Sequence, residues 1–196
     1  TTLSRLLAEK YGFVLYAMDE EAIYQQHRRI ASEEYQPDTC YHMKDFHAQW
    51  TRPPEEQARW NISSLREQSE MVLIDLIKLS EKERVVADVL YSPDYTKEII
   101  GYDQLVFLTV DPSMIRECYF NRPEKRSFYE FVKKQKLAET YFENIFRGLE
   151  RTNLLEQEGM KQSGFLMLER TKERTPEELL AEIERHFGLP CKRADF

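Results

Sequence analysis

Positive charge is scarce in this 196-residue chain: 28 Lys and Arg stand against 35 Asp and Glu, a formal net charge of −7. Counterion release from nucleic acid needs clustered basic side chains, so binding to nucleic acid through a general basic field is excluded. A small anion remains an acceptable ligand, because a local group of arginines works inside an acidic protein. No stretch approaches 18 apolar residues, which excludes a membrane-spanning helix, and the opening residues do not read as a signal peptide. Only three cysteines occur (Cys40, Cys118 and Cys191), far apart and odd in number. That suits a reducing, cytoplasmic setting better than a disulfide framework. Internal repeats, low-complexity linkers and the motifs G-x-S-x-G, C-x-x-C and H-E-x-x-H are all missing. Cys40, His42, Asp45 and His47 invite a metal reading, but their spacing fits no zinc pattern, and an i, i+5 pair of histidines leaves one helix face.

Hydrophobic residues make up 41% of the chain and aromatics 12%, with 11 Phe, 11 Tyr and 2 Trp. So many rings need a core, which excludes a disordered chain. At 23.5 kDa a folded monomer exposes about 9,800 Å² against about 34,000 Å² for the extended chain, enough burial for a single domain over 1–196. Helical periodicity is expected at 1–12, 20–34, 55–80, 92–100, 111–120, 127–157 (with Gly148 as a possible interruption) and 175–188. The last carries a capping box from Thr175 to Glu178, with Pro176 at the first helical position. Short apolar runs at 13–18, 84–89, 104–110 and 164–170 read as buried strands. Apolar strands alternating with helices argue an α/β fold, a parallel sheet flanked by helices on both faces.

The opening TTLSRLLAEKYGF resembles the helix that follows the glycine-rich loop of P-loop kinases, where G-x-x-x-x-G-K-[ST] runs into T-L-[AS]-R-x-L-A-E-x-x-G and then a strand. The acidic strand ends (Asp19 after VLYAM, Asp88 in VVADV), the strand VFLTVD and the arginine-containing segment after it resemble the adenylate-kinase-like and shikimate-kinase-like branch. The resemblance implies a three-layer P-loop NTPase-type sheet, Mg²⁺ and ATP as cofactors, and phosphoryl transfer to a small-molecule acceptor such as a nucleoside, nucleotide or hydroxylated metabolite. The alternative is a nucleotide-binding regulator or NTPase without kinase activity. The glycines, the lysine and the strand before them do not occur in the sequence. In that family this strand lies mid-sheet, between the strands expected at 84–89 and 104–110. The expectation is therefore that about ten further residues precede Thr1 and carry a strand and G-x-x-x-x-G-K.

By the same resemblance, Thr1 would ligate Mg²⁺ and Thr2 would sit beside the phosphates at the helix N-terminus. A lid over about 116–128 would bring Arg116, Arg122 and Arg126 onto phosphate, for which the planar guanidinium fork is suited. Asp19 and Asp88, at carboxyl ends of strands, would hold Mg²⁺ through water or accept a proton from an acceptor hydroxyl. Asp19 could equally cap the next helix. An acceptor-binding insertion over about 35–60 would use Arg28, Arg52 and Trp50, although its aromatics also suit a small local core. Arg174, in the loop after the last strand, would pass the nucleotide base. His27 and His186 read as surface helix residues.

Overall fold

The computed structural model describes residues 2–43, 45–111, 113–122 and 125–190. Its nine α-helices among the described residues are α1 (Thr2–Tyr11), α2 (Glu21–Ile30), α3 (Phe46–Trp50), α4 (Pro54–Ser80), α5 (Pro93–Thr96), α6 (Ser113–Cys118), α7 (Arg126–Lys133), α8 (Ala138–Ser163) and α9 (Pro176–His186). Its strands are β1 (Val14–Ala17), β2 (Val85–Asp88), β3 (Val106–Val110) and β4 (Leu166–Arg170). The fold is α/β, and both strand pairings are parallel, as apolar strands separated by helices require. Among the described residues they do not form one sheet: β1 pairs with β2, in register Val14–Val85 to Ala17–Asp88, and β3 with β4, from Val106–Leu166 to Val110–Arg170.

Helices cover these strands through distinct clusters. Leu3 and Leu7 of α1 and Leu179 and Ile183 of α9 pack with Leu168 of β4, and Val86 and Val106 lie against that cluster. Val72 of α4 packs with Tyr16 of β1 and Tyr91, with Val85, Val89 and Leu105 alongside. Val85 and Val86 thus join different clusters, as the two-residue alternation of a strand dictates. A third cluster, centred on Val132, Tyr141 and Ile145, is built by α7 and α8 with Phe46 and Trp50 of α3 and Phe120 and Phe128.

The 127–157 region differs from the single helix its periodicity suggests. It breaks between α7 and α8, where Lys134 and Gln135 turn back onto the carbonyls of Phe131 and Val132, and this folds the two apolar faces onto the third cluster. Gly148 does not interrupt α8. It is buried mid-helix, and a Cβ placed there would stand 2.9 Å from Gln57 Cγ, so the missing side chain lets α8 lie close against α4. The capping box of α9 forms as expected, with Thr175 Oγ1 accepting from the Glu178 N–H and Glu178 Oε2 accepting from the Thr175 N–H. Helix α5 begins at Pro93 after Ser92, but no Ser92 side-chain cap forms. No helix among the described residues is long and apolar enough to cross a membrane.

Between β2 and β3 runs an apolar groove of about 600 Å³. Val85, Ala87, Leu105 and Leu108 line it from the strands, with Leu3 and Leu7 of α1 on one side and Leu76, Ile77, Glu156 and Met160 of α4 and α8 also on its wall. Ala87, mid-strand in β2, is exposed, and Leu108, the centre of β3, is 46% exposed. Central residues of parallel strands are ordinarily buried. The accessible surface is 12659 Å², above the roughly 9,800 Å² of a compact monomer of this mass, and the groove contributes to that excess. Overpacking a close helix contact costs about 1–3 kcal/mol, so Gly148→Val is expected to lower the unfolding free energy by that amount in chemical denaturation. Unchanged stability would contradict the close approach of α4 and α8.

Candidate functional site

The carboxyl ends of β1 and β2 carry Asp19 and Asp88, and Asp88 meets the first turn of α1. Helix α1 starts here because its i, i+4 leucines, Leu3 and Leu7, are buried together, which turns Ser4 toward β2. Ser4 Oγ donates to Asp88 Oδ2 at 3.0 Å. A hydrogen bond across 84 residues therefore fixes the first turn of α1 beside the last residue of β2. That turn carries no acidic residue of its own, so the positive end of the helix dipole is not offset from within the helix. The far end stops at Gly12, which adopts φ +69, and Lys10 Nζ binds Glu184 of α9 at 2.6 Å, so the helix is tied down at both ends.

Asp19 is exposed and lies two residues beyond β1. The N-cap of α2 is Glu20, and no side chain caps that helix, so the Asp19 carboxylate is not spent on capping. The Met18 N–H donates to Asp88 O at 3.1 Å, which holds the ends of β1 and β2 together. Thr2 is exposed at the start of α1, while Thr1 lies outside the described residues. Among the described residues no group of three or more His, Cys, Asp or Glu could hold a metal.

The segment after β3 supplies the arginines. Arg122 and Arg126 are exposed, and neither forms an ion pair among the described residues. Arg116 is committed elsewhere: its guanidinium donates to Glu143 at 2.8 and 3.1 Å and to Glu150 at 2.6 Å, and it stacks over Phe146. The hydrogen bond from Arg116 holds the Glu143 carboxyl below its ordinary range. Arg174 is also engaged, donating to Glu182 and to the Glu169 carbonyl. Lys172, bound to Glu117 at 2.7 Å, ties the loop after β4 to α6.

Before the 35–60 region, Arg28 is exposed on α2, and within it Arg52 lies over the Trp60 ring at 5.2 Å. Trp50 packs against Phe46 and Phe128 in the third cluster, with its Nε1–H buried and unpartnered. The insertion and the arginine-bearing segment therefore share one aromatic core, which the sequence did not bring together.

Two groups escaped the sequence reading. His27 is not a surface residue: it is fully buried, with Nε2 2.8 Å from Asp75 Oδ2 and Nδ1 3.4 Å from the Tyr41 hydroxyl. Tyr16 also donates to Asp75 Oδ2, at 3.1 Å, and burial and the Asp75 charge push its hydroxyl far above its ordinary pKa. The signal was Asp75 standing between Ile74 and Leu76, inside an apolar helix stretch. His186 is likewise partly buried, with Nε2 2.9 Å from Leu105 O. Comparison with known proteins finds no match among protein-family models, curated proteins or solved structures.

The second group is Glu156, on the groove wall, where burial pushes the carboxyl from 4.5 up to about 7. Between those values the folded chain keeps the proton while the unfolded chain has lost it. The unfolded state then binds fewer protons, and stability falls as pH rises through the window. Glu156→Gln is expected to match the wild type near pH 4 and to exceed its stability near pH 8 by up to about 3 kcal/mol. Parallel stability–pH curves for the two proteins would contradict this placement.

Proposed function

We propose that the protein is a P-loop kinase-type phosphotransferase, three-layered, that moves the γ-phosphoryl of ATP to a small-molecule acceptor. The observation that supports this most is the Ser4–Asp88 bond, which sets a helix N-terminus and a strand-end carboxylate side by side at the carboxyl edge of parallel strands. In open parallel sheets that edge is where ligands bind, and helix N-terminal amides point their donors at phosphate.

The groove supports the same reading. It lies between β2 and β3, which do not pair with each other among the described residues. On this reading a fifth strand lies there, parallel to β2 and β3. Helix α1 begins at the carboxyl edge, so a strand feeding it must end at that edge and run in the same direction. The glycine-rich loop would join that strand to Thr1 and Thr2, completing one sheet in the order β1, β2, fifth strand, β3, β4.

Bound Mg–ATP would supply the transferable phosphoryl group. Asp88 and Asp19 would hold the hydrated cation or accept the proton of an acceptor hydroxyl. Arg122 and Arg126, free of carboxylate partners among the described residues, would neutralise charge on the group in transfer. Closure of the segment that carries them would exclude water and limit hydrolysis. Arg116 would have to exchange Glu143 and Glu150 for phosphate and Arg174 to leave Glu182, so the reading places more weight on Arg122.

In full-length protein with Mg–ATP and a panel of nucleosides, nucleotides and hydroxylated metabolites, ³¹P NMR is expected to show a phosphorylated product. Arg122→Ala should lower turnover by about 10²-fold or more while leaving the melting temperature unchanged. No product with any acceptor, or equal loss of melting temperature and turnover, would contradict the assignment.

A further inference from the structure

Helices α3 and α7 meet through their aromatic rings. Phe46 of α3 stands edge-on to Phe131 at 4.8 Å and to Phe128 at 6.3 Å, and Trp50 lies 5.9 Å from Phe128. Both helices are short, five residues and eight. Helices of that length have no stability of their own, because the cost of nucleation exceeds the return from their few hydrogen bonds. Their order therefore comes from packing. Phe128 and Phe131 of α7 rest on α3, and Val132 beside them is fully buried in the same cluster. On its other side α3 is held by α8: His47 Nδ1 stands 2.5 Å from the Tyr141 hydroxyl, and Asn144 donates to Trp50 O at 2.7 Å. The contact carries a local cost. Trp50 Nε1–H is buried with no partner, and an unmade buried donor is expensive. Undocking α3 returns that N–H to water, which lowers the cost of opening here relative to the rest of the cluster. Phe131 is already 47% exposed, so losing Phe46 would strip it further.

We infer that α3 and α7 form one cooperative unit that opens and closes as a whole against α8, with Phe46 as its positioning residue. Arg126 is the first residue of α7. Phe120 and Phe128, on either side of Arg122 and Arg126 in sequence, stand 5.9 Å apart in the same cluster. The arginines therefore keep their placement only while α3 is docked. A helix remote in sequence sets whether those two cations are presented, and a ligand that orders either part stabilises the other by linkage. That the cations meet a phosphoryl group in transfer rests on the kinase reading; the cooperative unit itself does not.

Hydrogen exchange of the full-length, ligand-free protein, read by mass spectrometry in low denaturant, tests the unit without any substrate. Residues 46–51 and 126–133 are expected to exchange through one opening, with the same denaturant dependence, and faster than α9. Phe46→Ala should speed exchange by about tenfold or more in both segments while α9 stays unchanged, and Phe46→Leu should restore most of the protection. Phe128→Ala should act in the reverse direction and speed exchange in 46–51. Where Phe46→Ala speeds α9 as well, the milder Phe46→Leu is compared with the wild type and should still shift both segments by the same factor. Protection of 126–133 that ignores substitution of Phe46, or separate openings for the two segments, would overturn the inference, since α3 and α7 would then dock on α8 independently. Absence of phosphoryl transfer with this coupling intact would instead count against the kinase reading alone.

Discussion

The structure depends on a parallel-strand arrangement left open along one seam. Among the described residues β2 and β3 each pair on one side, and both line a shared apolar groove. Strand edges carry rows of donors and acceptors that seek a partner, and apolar side chains such as Leu108 gain little from facing water. Helices α1 and α9 on one cluster, and α4 on another, reach residues on both sides of the seam. The two strand pairs are therefore held under common helices across the seam. A strand placed in it would turn two small sheets into one and bury the residues now exposed.

The same constraint positions the chemistry. Because α1 must bury Leu3 and Leu7 over the strands, its first turn meets the end of β2, and Ser4 locks onto Asp88. At that edge the start of α1 and the last residue of β2 meet, with Asp19 two residues beyond β1. Elsewhere α3 is braced by the aromatic cluster it shares with α7 and α8.

Much of this was legible in the chain. Strand positions follow from short apolar runs, the α9 capping box from Thr175, Pro176 and Glu178, and the edge aspartates from their place after VLYAM and VVA. What was not legible depends on tertiary partners. The separation of the strands into two pairs is a matter of which edges meet, and nothing local encodes it. Arg116 reads as a phosphate ligand until Glu143 and Glu150, 27 and 34 residues away, are seen to hold it. His27 reads as a surface residue because its helix is polar, and only the fold supplies Asp75 and Tyr41. Gly148 reads as a helix breaker until Gln57 is seen against it.

The central claim is that the first turn of α1 faces a bound triphosphate. Backbone amide NMR of the full-length protein, titrated with Mg²⁺ and a non-hydrolysable ATP analogue, tests it directly. The account predicts the largest shifts at the Thr2–Arg5 amides and at Asp88, with smaller ones in the loop after β4. Shifts confined to other surfaces, or none at saturating nucleotide, would contradict it.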